Sequence, residues 1–91
     1  MGMRYNGRMS SAPYYVYILE CADGSLYTGI ATDVKRRFDE HTSGKGSKYV
    51  HARGAKKVLY AEQCADKGAA LRRELAIKKL SRVQKMTLIG K

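Results

Sequence analysis

The sequence predicts an α+β fold in the order β-hairpin, helix, strand and two helices. Three observations carry this reading. The run Tyr14–Cys21, YYVYILEC, is strongly β-prone, turns at Asp23-Gly24 and returns through Leu-Tyr-Thr-Gly. Directly after it, Val34, Phe38 and His41 recur at i, i+4 and i+7, which is helical spacing. A second β-prone run, Val58–Cys64, is followed by two helix-start signals, Asp66 and Ser81.

A chain of 91 residues makes one domain, since one so short buries only about 60% of the surface its unfolded form exposes. Its charge is unusual: 18 Lys+Arg stand against 8 Asp+Glu, a formal net charge of +10. The basic residues run from Arg4 to Lys91, so the body of the protein is positive and not merely a tail. Such an excess points to nucleic acid ahead of an anionic membrane surface. The two cysteines, Cys21 and Cys64, are too few for a structural zinc site and read as free buried thiols. No signal peptide is evident and no apolar run is long enough to cross a bilayer, so a cytoplasmic protein without a membrane partner is expected. Met1-Gly2 is no myristoylation signal, because Asn6 stands where Ser or Thr is wanted.

Residues 1–12 mix Gly, Asn, Ser and Arg without periodicity and read as a flexible basic arm, leaving 13–91 as the folded domain. Apolar residues occupy both parities of Tyr14–Cys21, so this strand belongs at the centre of a sheet. Loop length then decides which side chains of the hairpin meet. A two-residue Asp-Gly loop would put Tyr17 and Tyr27 on opposite faces. A three-residue Ala-Asp-Gly loop, with Gly24 left-handed, pairs Cys21 with Ser25, sets Tyr17 opposite Gly29 and Leu19 opposite Tyr27, and brings both phenols to one face. The second register is preferred, because it leaves an open patch over Gly29 flanked by both phenols.

The first helix starts at Thr32-Asp33, ends near Ser43-Gly44, and carries Arg37 beside its apolar stripe. The following stretch, with Lys45, Lys48, His51, Arg53, Lys56 and Lys57, reads as a mobile basic loop that contacts a nucleic-acid backbone. Val58–Cys64 pairs with the free edge of the first strand. Asp66 caps a helix over about Lys67–Leu80, with Ala70, Leu71, Ile77 and Leu80 apolar and Glu74 in their midst. Ser81-x-x-Gln84 is a capping box that starts a last helix to about Ile89, where Val83, Met86 and Ile89 close over the core.

Singly, the polar residues have ordinary explanations. Strand tyrosines pack, Arg37 sits in a solvated Lys-Arg-Arg run, His41 packs or caps, and Glu74 is placed to pair with Lys78 one turn on. Together they resemble the GIY-YIG nuclease domain. The half-motifs stand as Tyr15-Val16-Tyr17 and Tyr27-Thr28-Gly29. They are followed by Asp33-Val34-Lys35-Arg36-Arg37-Phe38 with His41, and then by Arg73-Glu74 with Ile77-Lys78-Lys79. The resemblance covers about residues 14–80 and is greatest to the small stand-alone bacterial members. It departs from the family pattern at Tyr15-Val16, at Thr28, and at Leu75, where many members carry asparagine.

The resemblance implies a compact α+β domain on a three-stranded antiparallel sheet, and metal-dependent cleavage of DNA phosphodiesters. It implies catalytic roles for Tyr17, Tyr27, Arg37, Glu74 and His41, with Glu74 holding one Mg²⁺ or Mn²⁺. Gly29, Arg36, Lys45, Lys48 and Arg53 are the candidate nucleic-acid contacts. The chemistry suits these residue types. A guanidinium makes a charge-assisted fork to phosphoryl oxygens, and a divalent ion neutralises a leaving oxygen. A phenol has an ordinary pKa near 10, so bringing it to 7 needs about 4 kcal/mol of phenolate stabilisation, for which Arg37 and a cation are suitable neighbours. With no attached DNA-binding domain in the sequence, branched, flapped or damaged DNA is the expected substrate, with RNA or a specificity-giving protein partner as further options. The competing reading is a non-catalytic nucleic-acid-binding module.

Overall fold

The computed structural model describes residues 13–90; the basic arm read over residues 1–12 lies outside them. The elements are β1 (Tyr14–Cys21), β2 (Leu26–Ala31), α1 (Val34–Thr42), α2 (Lys48–Arg53), β3 (Ala55–Cys64), α3 (Lys67–Lys78) and α4 (Arg82–Ile89). The strands form one antiparallel sheet in the order β2-β1-β3, with β1 at the centre. Val16, Tyr17, Ile18 and Leu19 are almost wholly buried, so both faces of β1 are core, as its unbroken apolar run requires.

The hairpin takes the three-residue loop. Cys21 donates its N–H to the Ser25 carbonyl at 2.9 Å, and Gly24 adopts φ 86°, a left-handed conformation that suits glycine. Tyr17 therefore pairs with Gly29 and Leu19 with Tyr27. The turn is held from outside: Ala22 N–H donates to the Gly54 carbonyl at 2.7 Å, and Arg82 Nη1 donates to the Gly24 carbonyl at 3.0 Å.

Side chains alternate across β1 and divide the core in two. Val16 and Ile18 join Cys64, Ala70 and Ile77 under α3 and α4. Tyr17, Leu19 and Cys21 join Val50 on the other face, with Val34 and Phe38 of α1 packed against them. Asp33 caps α1 by accepting from Arg36 N–H, and Asp66 caps α3 by accepting from Ala69 N–H. The Ser81–Gln84 capping box forms as read. Both cysteines are free and buried.

Three expectations are corrected. Residues 44–57 do not form a loop throughout. Ser47 caps α2 by accepting from Tyr49 N–H, Val50 is fully buried, and Gly54 stops the helix at φ 81°. One apolar anchor and two caps outweigh the high content of Lys and Gly there. The apolar stripe of α3 is also narrower than read: Ala70 and Ile77 are buried, whereas Leu71 is 41% exposed, and Leu75, at the margin of the stripe, is 59% exposed. Val83 is 76% exposed and does not close the core; Leu88 and Ile89 do so. Among the described residues no helix is long and apolar enough to cross a membrane.

Candidate active site

The site is built over an absent side chain. A Cβ at Gly29 would lie 2.7 Å from Tyr17 Oη and 2.9 Å from its Cζ, closer than real Cβ atoms approach, and a tight 3.0 Å from Tyr27 Cε2. Because residue 29 is glycine, the Tyr17 phenol lies across β2 instead of standing clear of it. Gly29, a candidate nucleic-acid contact in the sequence, thus also seats both tyrosines. Their ring centroids are 6.3 Å apart.

His41, at the inward end of the α1 stripe and 3% exposed, meets the phenol: its Nε2 is 2.9 Å from Tyr17 Oη. Its ring also packs edge-on to Tyr27 at 5.5 Å. Gly46 closes so tightly on the imidazole that a Cβ there would overlap Nδ1 and Cε1. The Ser47 amide points at Nδ1 from 3.4 Å. An amide N–H can only donate, so Nδ1 is the acceptor, the neutral ring carries its proton on Nε2, and His41 donates to Tyr17. Burial, then the nearby Arg37 charge, lowers the His41 pKa below its usual 6.5, with Glu40 opposing, so the ring is neutral at pH 7.

The Tyr17 pKa moves opposite to expectation. Burial raises it to about 12, the Tyr27 phenol and Glu74 add to the rise, and Arg37 pulls against them. Reaching 7 from there requires about 7 kcal/mol, not the 4 a solvated phenol would need. Tyr17 holds its proton at neutral pH, and the cost comes from burying the oxygen that the fold places at the centre.

Arg37 reaches the site from α1. Its Nη1 bonds Glu40 Oε1 at 2.9 Å, its side chain is 39% exposed, and its guanidinium is near enough to the Tyr17 phenol to oppose the rise in that group's pKa. Glu74 comes from α3, where it shares the i, i+4, i+7 stripe with buried Ala70 and Ile77, and its side chain is only 16% exposed. It is near enough to the Tyr17 phenol for its charge to count there. Its Oε2 is also 3.2 Å from Lys78 Nζ, the one-turn ion pair that the sequence allowed.

As for a metal, no group of three or more His, Cys, Asp or Glu side chains is placed to hold an ion among the described residues. Of the two carboxylates near the site among the described residues, Glu40 is engaged by Arg37, which leaves Glu74 as the candidate ligand. That fits Mg²⁺, which keeps several waters and commonly takes one or two carboxylates together with substrate phosphate oxygens.

The proposed nucleic-acid contacts divide. Arg36, Lys45 and Lys48 are exposed, with Arg36 Nη2 3.5 Å from Thr32 Oγ1. Arg53 is engaged: its Nε lies 3.3 Å from Asp23 Oδ2 and its guanidinium sits 3.8 Å over the Tyr49 ring. Sequence reasoning passed over Tyr49, whose ring centroid lies 5.9 Å from that of Tyr27. Ser47 ahead of Tyr49-Val50, with Gly54 beyond, was the signal for the helix that carries it. Gly46 and Ser47, which lock His41, were passed over for the same reason.

The small α+β domain thus seats two phenols over one glycine, bonds one of them to an imidazole, and brings a guanidinium and a carboxylate near enough to act on that phenol. The family model of the GIY-YIG catalytic domain matches residues 13–87, and the chain belongs to that family. A UPF0213 protein of Streptococcus agalactiae is 49% identical over 81 residues, which span 89% of this chain and 92% of the relative. Another, from Pseudomonas aeruginosa, is 50% identical over 76 residues, spanning 82% and 73%. Among solved structures, the solution NMR structure of a UPF0213 protein from Bacillus halodurans is similar at a TM-score of 0.55 and 47% identity, covering 86% of this chain and 83% of that one. A protein of E. faecalis, also solved by NMR, is similar at a TM-score of 0.56 and 35% identity, covering 84% and 82%.

Proposed function

We propose that the protein is a divalent-metal-dependent endonuclease that hydrolyses DNA phosphodiesters at branched, flapped or damaged positions, in repair or recombination. The observation that carries the reading is the convergence on Tyr17 Oη: His41 bonds it, Tyr27 packs beside it, and the charges of Arg37 and Glu74 both act on it. A core tyrosine needs none of these polar neighbours. Membership in the GIY-YIG family supports the same reading.

In this reading Arg37, braced by Glu40, directs its free donors to the phosphoryl oxygens, where negative charge builds during in-line attack. Tyr17 stays protonated. With its oxygen held by His41, its own O–H is free to fix the attacking water or a phosphate oxygen, so it orients more than it deprotonates. Tyr27 flanks the same position. Glu74 would hold one Mg²⁺ or Mn²⁺, which when bound neutralises charge on the leaving oxygen. The exposed Arg36, Lys45 and Lys48 supply sequence-independent affinity for the strand.

One observation favours the second reading, a nucleic-acid binder without cleavage: Lys78 already engages Glu74. Yet Lys78 is 51% exposed, and one-turn ion pairs of that kind are worth only about 0.3–0.5 kcal/mol, too little to keep a divalent ion away. A cleavage assay with Mg²⁺ or Mn²⁺ on single-stranded, flapped, four-way and abasic DNA, with RNA alongside, separates the two. Cutting by the wild type and none by Arg37→Ala or Glu74→Ala is expected. Cutting that persists unchanged in both variants defeats the assignment.

A further inference from the structure

Beside Tyr27, at the outer edge of β2, is a cavity of about 260 Å³ lined by Leu26, Tyr27, Thr28, Tyr49, Lys78 and Lys85. Among the described residues β2 is an edge strand, and its outward backbone groups have no strand partner there. We propose that this cavity is a subsite for one unstacked nucleobase, placed next to the phosphate that the neighbouring site cleaves, with Lys78 and Lys85 taking the phosphates on either side of it. The proposal deepens the nuclease reading and rests on it for the register between base and phosphate.

Size comes first. Pockets for drug-sized ligands span about 300–1,000 Å³, so this one suits a single planar ring system. Its chemistry is that of a nucleotide site: aromatic side chains for a base to lie against, cations for its backbone, and polar groups for its edge. Tyr49 supplies much of the aromatic wall and is 39% exposed, although its neighbour Val50 is fully buried. It is nonetheless held in place. Asp23 in the hairpin turn grips Arg53, Arg53 lies 3.8 Å over one face of Tyr49, and Tyr49 stands 5.9 Å from Tyr27. A braced, exposed aromatic side chain presents stacking surface at low entropic cost.

Thr28 is the second sign. Its hydroxyl is buried and has no hydrogen-bond partner among the described residues. Such orphans are rare and destabilising, and this one belongs to a residue that lines the cavity.

The cavity also adjoins the reacting centre on two sides. Tyr27 is shared between them, and Lys78 reaches from the cavity to Glu74 at 3.2 Å. A strand phosphate that draws Lys78 toward itself would release the Glu74 carboxylate for its metal. Base binding and metal loading are thereby coupled through one lysine.

The test is binding without metal, so that it does not depend on cleavage. Fluorescence anisotropy in EDTA would follow a labelled single strand of about twelve nucleotides, the same strand with one abasic nucleotide moved along it, a blunt duplex, and a duplex with one bulged nucleotide. Tyr49→Ala is expected to weaken single-strand binding roughly 5- to 150-fold, the range of one lost base stack, and Tyr49→Phe to retain it. One abasic position should cost wild type a similar factor and Tyr49→Ala nothing further. Preference for the bulged duplex over the blunt one identifies an extruded base as a source; binding of the single strand alone identifies an open strand. Melting curves check that Tyr49→Ala is folded, and Lys85→Met provides a second variant that leaves Tyr49 in place, expected to weaken binding and flatten its salt dependence. Tyr49→Ala binding like wild type, or indifference to every abasic position, overturns the subsite. Tyr49-dependent binding by a protein that never cuts overturns the nuclease reading alone.

Discussion

The Tyr17 phenol fills the space that a side chain at Gly29 would need: its oxygen lies 2.7 Å from where a Cβ of residue 29 would stand. The ring is 2% exposed and pinned by His41, so it cannot swing aside cheaply. Gly29→Ala should therefore cost about 1–3 kcal/mol, the usual penalty for overpacking, and move the phenol off its hydrogen bond. Urea unfolding would show the loss, and cleavage should fall far more than stability does. A fully active Gly29→Ala would mean that the Tyr17 position is irrelevant to the chemistry.

His41 makes the protein sensitive to acid. Its pKa is lower in the folded chain than the ordinary 6.5, so the unfolded chain binds more protons there and stability rises with pH through that interval. The contribution is complete above about 6.5 and is lost as pH falls through the depressed value. Protonation also puts a hydrogen on Nδ1, facing the Ser47 N–H donor, which should loosen the chain around Gly46 and Ser47. Melting and cleavage followed from pH 8 to pH 4 should both decline below about 6.5. His41→Gln should flatten the stability profile there, and a wild-type profile no steeper than that of His41→Gln refutes the assignment.

Tyr17 makes a contribution at the other end of the scale. Its folded pKa is raised from 10 to about 12, so the folded chain binds the extra proton between those values and stability falls as pH rises from 10 to 12. The difference in unfolding free energy between wild type and Tyr17→Phe isolates this group from the lysines, which titrate in the same range. Wild type should lose ground to Tyr17→Phe across that window. An unchanged difference would mean that the phenol is not desolvated as the structure places it.

These relationships were legible to different depths in the sequence. The hairpin register was readable because Ala-Asp-Gly offers only two loop lengths, and Tyr17, Tyr27 and Gly29 took the positions read for them. The caps Asp33, Asp66 and Ser81 were readable because each satisfies a local backbone donor. The α2 helix was obscured because its one anchor, Val50, sits among Lys, His and Arg, and composition outweighed the Ser47 and Gly54 caps. The direction of the Tyr17 shift was hidden for a deeper reason. The motif resemblance set Arg37 beside the phenol and suggested a lowered pKa, whereas the dominant cause is burial, which only the assembled core creates.

Lys78 should be a brake on metal binding. It holds Glu74 Oε2 at 3.2 Å, and any ion on that carboxylate competes with it. Lys78→Met should raise the affinity for Mn²⁺ read by isothermal titration in the absence of nucleic acid, by a factor of about two, as expected for an exposed one-turn pair worth 0.3–0.5 kcal/mol. Glu74→Gln should abolish the same heat. Binding that is indifferent to Glu74→Gln would place the metal elsewhere and remove the reason for Glu74 to face the sheet.

Thr28→Val separates stability from use. The two side chains are close in shape, and the substitution deletes a buried hydroxyl that has no partner among the described residues. Leaving such a group unsatisfied costs about 1–3 kcal/mol, so the variant should be more stable than wild type by about 1 kcal/mol, an upward shift in melting temperature that calorimetry can read. If the hydroxyl serves a bound strand, the same variant should lose affinity for single-stranded DNA while gaining stability. A thermostable variant with unaltered affinity would show that Thr28 serves packing alone, and one that is less stable would show that the hydroxyl has a partner after all.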